Sequence, residues 1–283
     1  MGFFVKTLAS SSRGNAALVF TRKTRILIDA GISFRRIKEA LNEIQIPLES
    51  LSAVLITHAH SDHVKGLPLF ISKTDIPIFC SKRTSIALLR RKEFQGIAAL
   101  MGKINFYDGK TIRFDDISVD SYPFPHGGWL LSGIDHAGEH TCFKLTYTDK
   151  GTTRTVGFAT DIGCFPHHLI EPYYNCDLYV IEANHDVGQQ LISSRPAGLI
   201  KRNLSDTGHL SNDQAADALV KLIHPEPHLR RTKHIHLAHL SRDCNCHELA
   251  SNVIKCKLQS KGYSEINVTT APYDVPSEIF HVK

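Results

Sequence analysis

The stretch Thr57-His58-Ala59-His60-Ser61-Asp62-His63 places three imidazoles and one carboxylate within six positions. In an extended segment, side chains at i and i+2 point the same way, so His58 and His60 can bind one ion together. Asp62 and His63 follow where the chain must turn, and can face a second ion. Imidazole and carboxylate suit zinc, manganese or iron better than calcium or magnesium. The spacing differs from the helical His-Glu-x-x-His arrangement, whose ligands stand i, i+4. The motif follows Ala53-Val54-Leu55-Ile56, an apolar run that reads as a buried strand. The four candidate ligands therefore lie at a strand end.

The elements that must position them alternate along the chain. Early strands are expected at Phe3–Leu8, Ala16–Phe20 and Arg25–Ile28, the last closed by Asp29-Ala30-Gly31. A helix is expected over Phe34–Ile44 with Ser33 as its N-cap, and another over Val64–Ile71 after the metal motif. In the second half, strands are expected at Ile117–Phe124, Leu178–Ile181 and His234–Ala238, and helices at Leu191–Asn203 and Asp213–Ile223. No linker or low-complexity tract divides the chain, so 1–283 reads as a single α/β domain with mixed sheets.

Composition narrows the setting. Hydrophobic residues at 42% and charged residues at 22% are ordinary for a soluble globular protein with a large core. A formal charge of +5 and a pI of about 8.8 are compatible with a nucleic-acid partner, without demanding one. Seven cysteines without a CxxC framework point to free thiols in a reducing compartment. The start Met1-Gly2-Phe3-Phe4-Val5-Lys6 lacks the basic and apolar regions of a signal peptide, and no apolar run approaches a membrane span. A cytoplasmic location is expected, with no membrane contact.

The His58-x-His60-x-Asp62-His63 pattern resembles the binuclear-site motif of the metallo-β-lactamase superfamily. That resemblance implies a metallo-β-lactamase αβ/βα four-layer sandwich with two mixed β-sheets, and two divalent metal ions, zinc or manganese with iron also suited. It supplies the rest of the cage. His126, after Ser118-Val119-Asp120-Ser121-Tyr122-Pro123-Phe124-Pro125, joins His58 and His60 on one ion. His239, in His236-Leu237-Ala238-His239-Leu240-Ser241, joins Asp62 and His63 on the other. Asp161, in Phe158-Ala159-Thr160-Asp161-Ile162-Gly163, stands between the ions. The favoured branch follows the third-motif histidine with Asp-Ala, whereas here Gly127-Gly128-Trp129 follows, so His136 and His140 are alternatives to His126. Asp29 either orients the ligand loop or caps a turn.

Four further segments resemble the WalJ/YycJ-like branch: Ala9-Ser10-Ser11-Ser12-Arg13-Gly14-Asn15, Glu182-Ala183-Asn184-His185-Asp186, Gly208-His209-Leu210-Ser211-Asn212-Asp213 and Ala238-His239-Leu240-Ser241-Arg242-Asp243-Cys244-Asn245. Their order is right over nearly the whole chain, although Cys244 stands where the branch commonly has Asn. The branch implies a phosphodiesterase acting on DNA, as a 5′→3′ exonuclease using a metal-bridging hydroxide. By the same resemblance His209 protonates the leaving oxygen and Glu182 orients it. An alkoxide leaves poorly, and a general acid is worth roughly 10²–10⁴ in rate. His185 either touches substrate or supports Glu182. Ser10, Ser11 and Asn15 either donate to phosphate from their loop or form a polar turn, and Arg13, Arg195, Lys201 and Arg202 are candidate phosphate contacts by charge. The alternative activity is a glyoxalase-II-like thioester or lactone hydrolase. Its leaving group needs no acid, so the Glu182/His209 pair counts against it.

Overall fold

The computed structural model describes residues 2–96, 100–107, 109, 111–124 and 139–283. Its strands form two seven-stranded sheets. The first is built from β1 (Phe3–Ser11), β2 (Gly14–Phe20), β3 (Arg25–Ile28), β4 (Ala53–Leu55), β5 (Ile78–Cys80) and β6 (Ile104–Phe106). The second takes β7 (Ile112–Phe114), β8 (Ile117–Phe124), β9 (His140–Asp149), β10 (Thr152–Ala159), β11 (Leu178–Glu182), β12 (His234–Ala238) and β13 (Asn267–Thr270). The chain then returns to the first sheet as β14 (Phe280–Val282), antiparallel to β1. Each sheet is mixed. Pairing is antiparallel from β1 to β3 and parallel from β3 to β6. It is likewise antiparallel from β7 to β10 and parallel from β10 to β13.

Period-two alternation explains how one short strand serves two cores. Ala53 and Leu55 of β4 face the second sheet, among Ile26, Ile28, Phe143 and Val180. Val54 and Ile56 face outward, among Leu41, Val64, Phe70 and Leu88 of the helices α1 (Phe34–Glu43), α2 (Ser61–Val64), α3 (Leu67–Lys73) and α4 (Lys82–Arg90). A strand buried on both faces reads as a continuous apolar run, as this one does. In β11, Leu178 and Val180 face the other sheet. Tyr179 and Ile181 face an outer helical core with Leu219 and Ile254. The helices after the short α5 (Leu100–Lys103) are α6 (His167–Tyr173), α7 (Val187–Ile192), α8 (Ala197–Asn203), α9 (Asn212–Leu222) and α10 (His247–Ser260). The layers run helix, sheet, sheet, helix.

Two expected helices are each divided. The one over Leu191–Asn203 is α7 and α8, separated at Pro196, which caps α8 and cannot extend a helix through its ring. The one over Val64–Ile71 is α2 and α3, which meet at Gly66. The sequence reading did not include β7, β14 or α6. Among the described residues, no helix is long and apolar enough to cross a membrane.

Candidate metal centre

The C-terminal ends of β3, β4, β10, β11 and β12 deliver the polar groups, as parallel strands do at a ligand-binding edge. Asp29 follows β3, the histidine motif follows β4, Asp161 follows β10, Glu182 ends β11 and His239 follows β12. Three of these have left-handed backbones: Asp29 at φ 61°, Asp161 at φ 57° and His239 at φ 54°. Asp and His tolerate that region better than bulkier residues, and strain of this kind gathers at functional sites.

Three groups of side chains bring their candidate ligand atoms within 4.8 Å of one another: His58, His63 and Asp161; Asp62, His63 and His239; and Asp161, Glu182, His209 and His239. His63 Nε2 lies 3.3 Å from Asp161 Oδ2 and 3.5 Å from Asp62 Oδ2. His239 Nε2 lies 3.5 Å from Asp161 Oδ1 and 3.6 Å from Asp62 Oδ2. His58 Nε2 and His60 Nδ1 are 2.8 Å apart. Of the three candidates for the remaining imidazole, His126 and His136 lie outside the described residues. His140 is buried, with its ring 5.0 Å from that of His58.

A surrounding layer fixes these rings. Asp29 Oδ2 contacts His63 Nδ1 at 2.7 Å, while its Oδ1 accepts from Thr57 N at 2.8 Å. Of the two roles open to Asp29, orienting a ligand is the one this geometry serves. Arg91 Nη1 donates to Ala59 O at 2.9 Å, between the first two histidines, and Asn184 Nδ2 donates to His239 O at 2.7 Å. Thr57, Arg91 and Asn184 were not singled out from sequence. Only the fold brings Arg91 and Asn184 to the histidines. Of the two roles open to the opening loop, its hydrogen bonds describe the polar turn. Asn15 Nδ2 donates to Ser11 O at 2.9 Å and stands 3.0 Å from His63 Nε2, and Ser11 Oγ accepts from Arg13 N at 3.2 Å. Ser11 and Asn15 are buried and hydrogen-bonded within the turn and to the ligand loop, and Arg13 is exposed at the turn.

The electrostatics fit a cation. Burial, with neighbouring imidazoles, pushes His58 well below the histidine range and His140 to about 3; burial takes His60 to about 4. His63 and His239 go the other way. Burial opposes their charge, yet the facing carboxylates, Asp161 foremost, raise His63 well above its usual value and His239 to about 10. Against burial, these imidazoles hold Asp62 and Asp161 below the carboxylate range. Buried carboxylates thus draw protons onto two buried rings, a need that a divalent ion in the same space removes. Asp161 Oδ2 and His239 Nε2 are buried with no hydrogen bond among the described residues, leaving both available as ligand atoms. The donor set fits divalent metal.

Next to the cage stands a second pair. Glu182 Oε1 accepts from His209 Nδ1 at 2.9 Å and from His239 Nδ1 at 2.8 Å. Its Oε2 accepts from Ile162 N at 2.9 Å and Leu210 N at 3.2 Å. Burial favours the neutral acid, but these histidines and their hydrogen bonds hold Glu182 below its usual range. His185 is buried on the same segment and makes no hydrogen bond to Glu182 among the described residues. Arg202, at the end of α8, is close enough for its charge to bear on His60.

Residues 24–236 match the family described as beta-lactamase superfamily domain. The chain is 32% identical over 263 residues to exodeoxyribonuclease YycJ of Bacillus anthracis, covering 93% of this chain and 92% of that protein. It is 35% identical over 251 residues to exodeoxyribonuclease WalJ of Streptococcus pneumoniae serotype 2, covering 88% and 86%. Its fold is similar to that of unliganded yeast PDE1, with a TM-score of 0.70 at 12% identity over 98% of this chain and 99% of that structure. Fold and site together define a metal-dependent hydrolase of the metallo-β-lactamase fold. The chain belongs to the beta-lactamase superfamily, in the branch that holds YycJ and WalJ.

Proposed function

We propose that this chain is a binuclear phosphodiesterase that degrades DNA as a 5′→3′ exonuclease. The observation that carries the reading is the Glu182–His209 pair, set against Asp161 and His239. The names of the YycJ and WalJ relatives support its exodeoxyribonuclease part. In this proposal His58, His60 and His126 hold one ion, Asp62, His63 and His239 the other, and Asp161 stands between. Ions bound there supply an acidified water as nucleophile and neutralise charge on the phosphate oxygens, with zinc, manganese and iron all suited to the donors. The protein does the rest. Glu182 fixes Nδ1 of His209 as the donor to its own carboxylate, which leaves Nε2 to carry the proton that passes to the departing oxygen. Asp29 keeps the His63 ring turned by the same logic. A thioester hydrolase has a leaving group that needs no such acid.

End-labelled duplex DNA with manganese tests the proposal. His209→Ala is expected to lower the cleavage rate by roughly 10²–10⁴, and Asp161→Ala to abolish it. Full activity in both variants would sink the reading. Metal analysis of His126→Ala, His136→Ala and His140→Ala tests the third imidazole, with loss of an ion expected only in His126→Ala.

A further inference from the structure

Beside the metal centre, residues 183–186 run between two loops. On the side of His209, Asn184 N donates to Leu210 O and Asn212 N to His185 O, each at 2.9 Å. On the side of His239, Ser241 N donates to Asn184 O at 2.7 Å and Asp186 N to Cys244 O at 2.9 Å. His185 is thus held between the acid and a ligand. It is fully buried, and neither ring nitrogen has a hydrogen-bond partner among the described residues. Gln190, whose backbone N donates to Asp186 O, is also fully buried with its Nε2 unpartnered. Arg195 ties these groups together. Its Nη1 donates to Gln190 Oε1 at 3.3 Å, and its Nη2 donates to Ser241 Oγ at 3.1 Å and Asp243 Oδ2 at 2.8 Å. Its charge also bears on His185.

A buried donor left unmade costs about 1–3 kcal/mol, and the Gln190 amide carries two N–H groups. Metal binding and proton transfer use none of them. We propose that His185, Gln190 and Arg195 form a subsite for a phosphate group of the substrate strand next to the phosphate being cleaved. The inference rests on the phosphodiesterase reading above. An imidazole and an amide supply neutral hydrogen bonds, and a guanidinium already oriented by Asp243 supplies charge. The position beside His209 sets which bond of the strand meets the acid.

Three duplexes of one sequence, cleaved by the metal-loaded enzyme, test the subsite. One is natural, one carries a neutral methylphosphonate at the linkage next to the cleaved one, and one lacks its 5′-phosphate. The wild type is expected to lose about tenfold in kcat/KM, carried by KM, on one altered duplex. A loss with the methylphosphonate assigns an internal phosphate, and a loss without the 5′-phosphate a terminal one. Gln190→Glu, which keeps the side-chain size but adds negative charge, and His185→Asn are each expected to erase that difference. No penalty on either duplex, the result if the donors meet only ordered water, overturns the proposal. So does a penalty undiminished in both variants. If the wild type cleaves no DNA at all, the phosphodiesterase reading falls. The subsite is then judged by titration with inorganic phosphate, where wild type must bind about tenfold more tightly than Gln190→Glu.

Discussion

Glu182 answers to two histidines at once, through one oxygen. The proposed acid and a proposed ligand therefore share an anchor, and Glu182→Gln should injure both. Its expected signature is a fall in rate of roughly 10²–10⁴ together with loss of metal, whereas His209→Ala should lose rate and keep metal. Metal analysis alongside the nuclease rate separates the two, and a fully metallated, active Glu182→Gln would refute the shared anchor. Asn15 makes a contrasting case. Its amide reaches Ser11 O and His63, so Asn15→Ala should weaken metal affinity about 10–100-fold. Unchanged metal affinity with a raised KM for DNA would instead favour a substrate contact for Asn15.

The short connections after the strands carry the geometry. A Cβ on Gly31 would stand 1.6 Å from Asp62 O, a backbone atom that cannot swing aside. Gly31→Ala should therefore displace the ligand loop, costing about 1–3 kcal/mol in denaturant unfolding and lowering metal content. Wild-type values for both would show that the loop has slack. At this scale the sequence is legible where chemistry and pattern coincide. The motif after β4 is readable because its ligands are local and its strand is apolar on both faces. The pair Glu182 and His209 is expected only through the resemblance to the branch, and the structure sets the two 2.9 Å apart. The break between α7 and α8 is less visible, because apolar Leu191, Ile192, Leu199 and Ile200 continue a helical pattern across Pro196. Strand β14 has no local mark at all. Phe280, His281 and Val282 become a strand only by pairing with Val5, Phe4 and Phe3. The role of Asn15 is hidden for the same reason: its partners in the histidine motif are distant in sequence.

Across the whole molecule, His236 joins the two sheets. Its Nε2 meets Thr7 Oγ1 of β1 at 3.1 Å and its Nδ1 meets Thr269 Oγ1 of β13 at 2.8 Å. Burial, with the nearby His234, takes its pKa down to about 3. An unfolded histidine gains its proton near pH 6.5. Between these values the unfolded chain binds a proton that the folded one refuses, so stability falls as pH drops from about 6.5 towards about 3. The slope from this group is about 1.4 kcal/mol per pH unit. His236→Gln should flatten the acid limb of urea-unfolding stability against pH, and an unchanged limb would remove His236 as its source. The site, too, belongs to both sheets: His58 to His63 follow a strand of the first, and Asp161, Glu182 and His239 come from the second. This has a consequence during synthesis. A ribosome delivers the histidine motif early and His239 late, so a nascent chain carries half a cage until β12 has emerged and docked. The candidate site can therefore assemble only after strands of both sheets have formed.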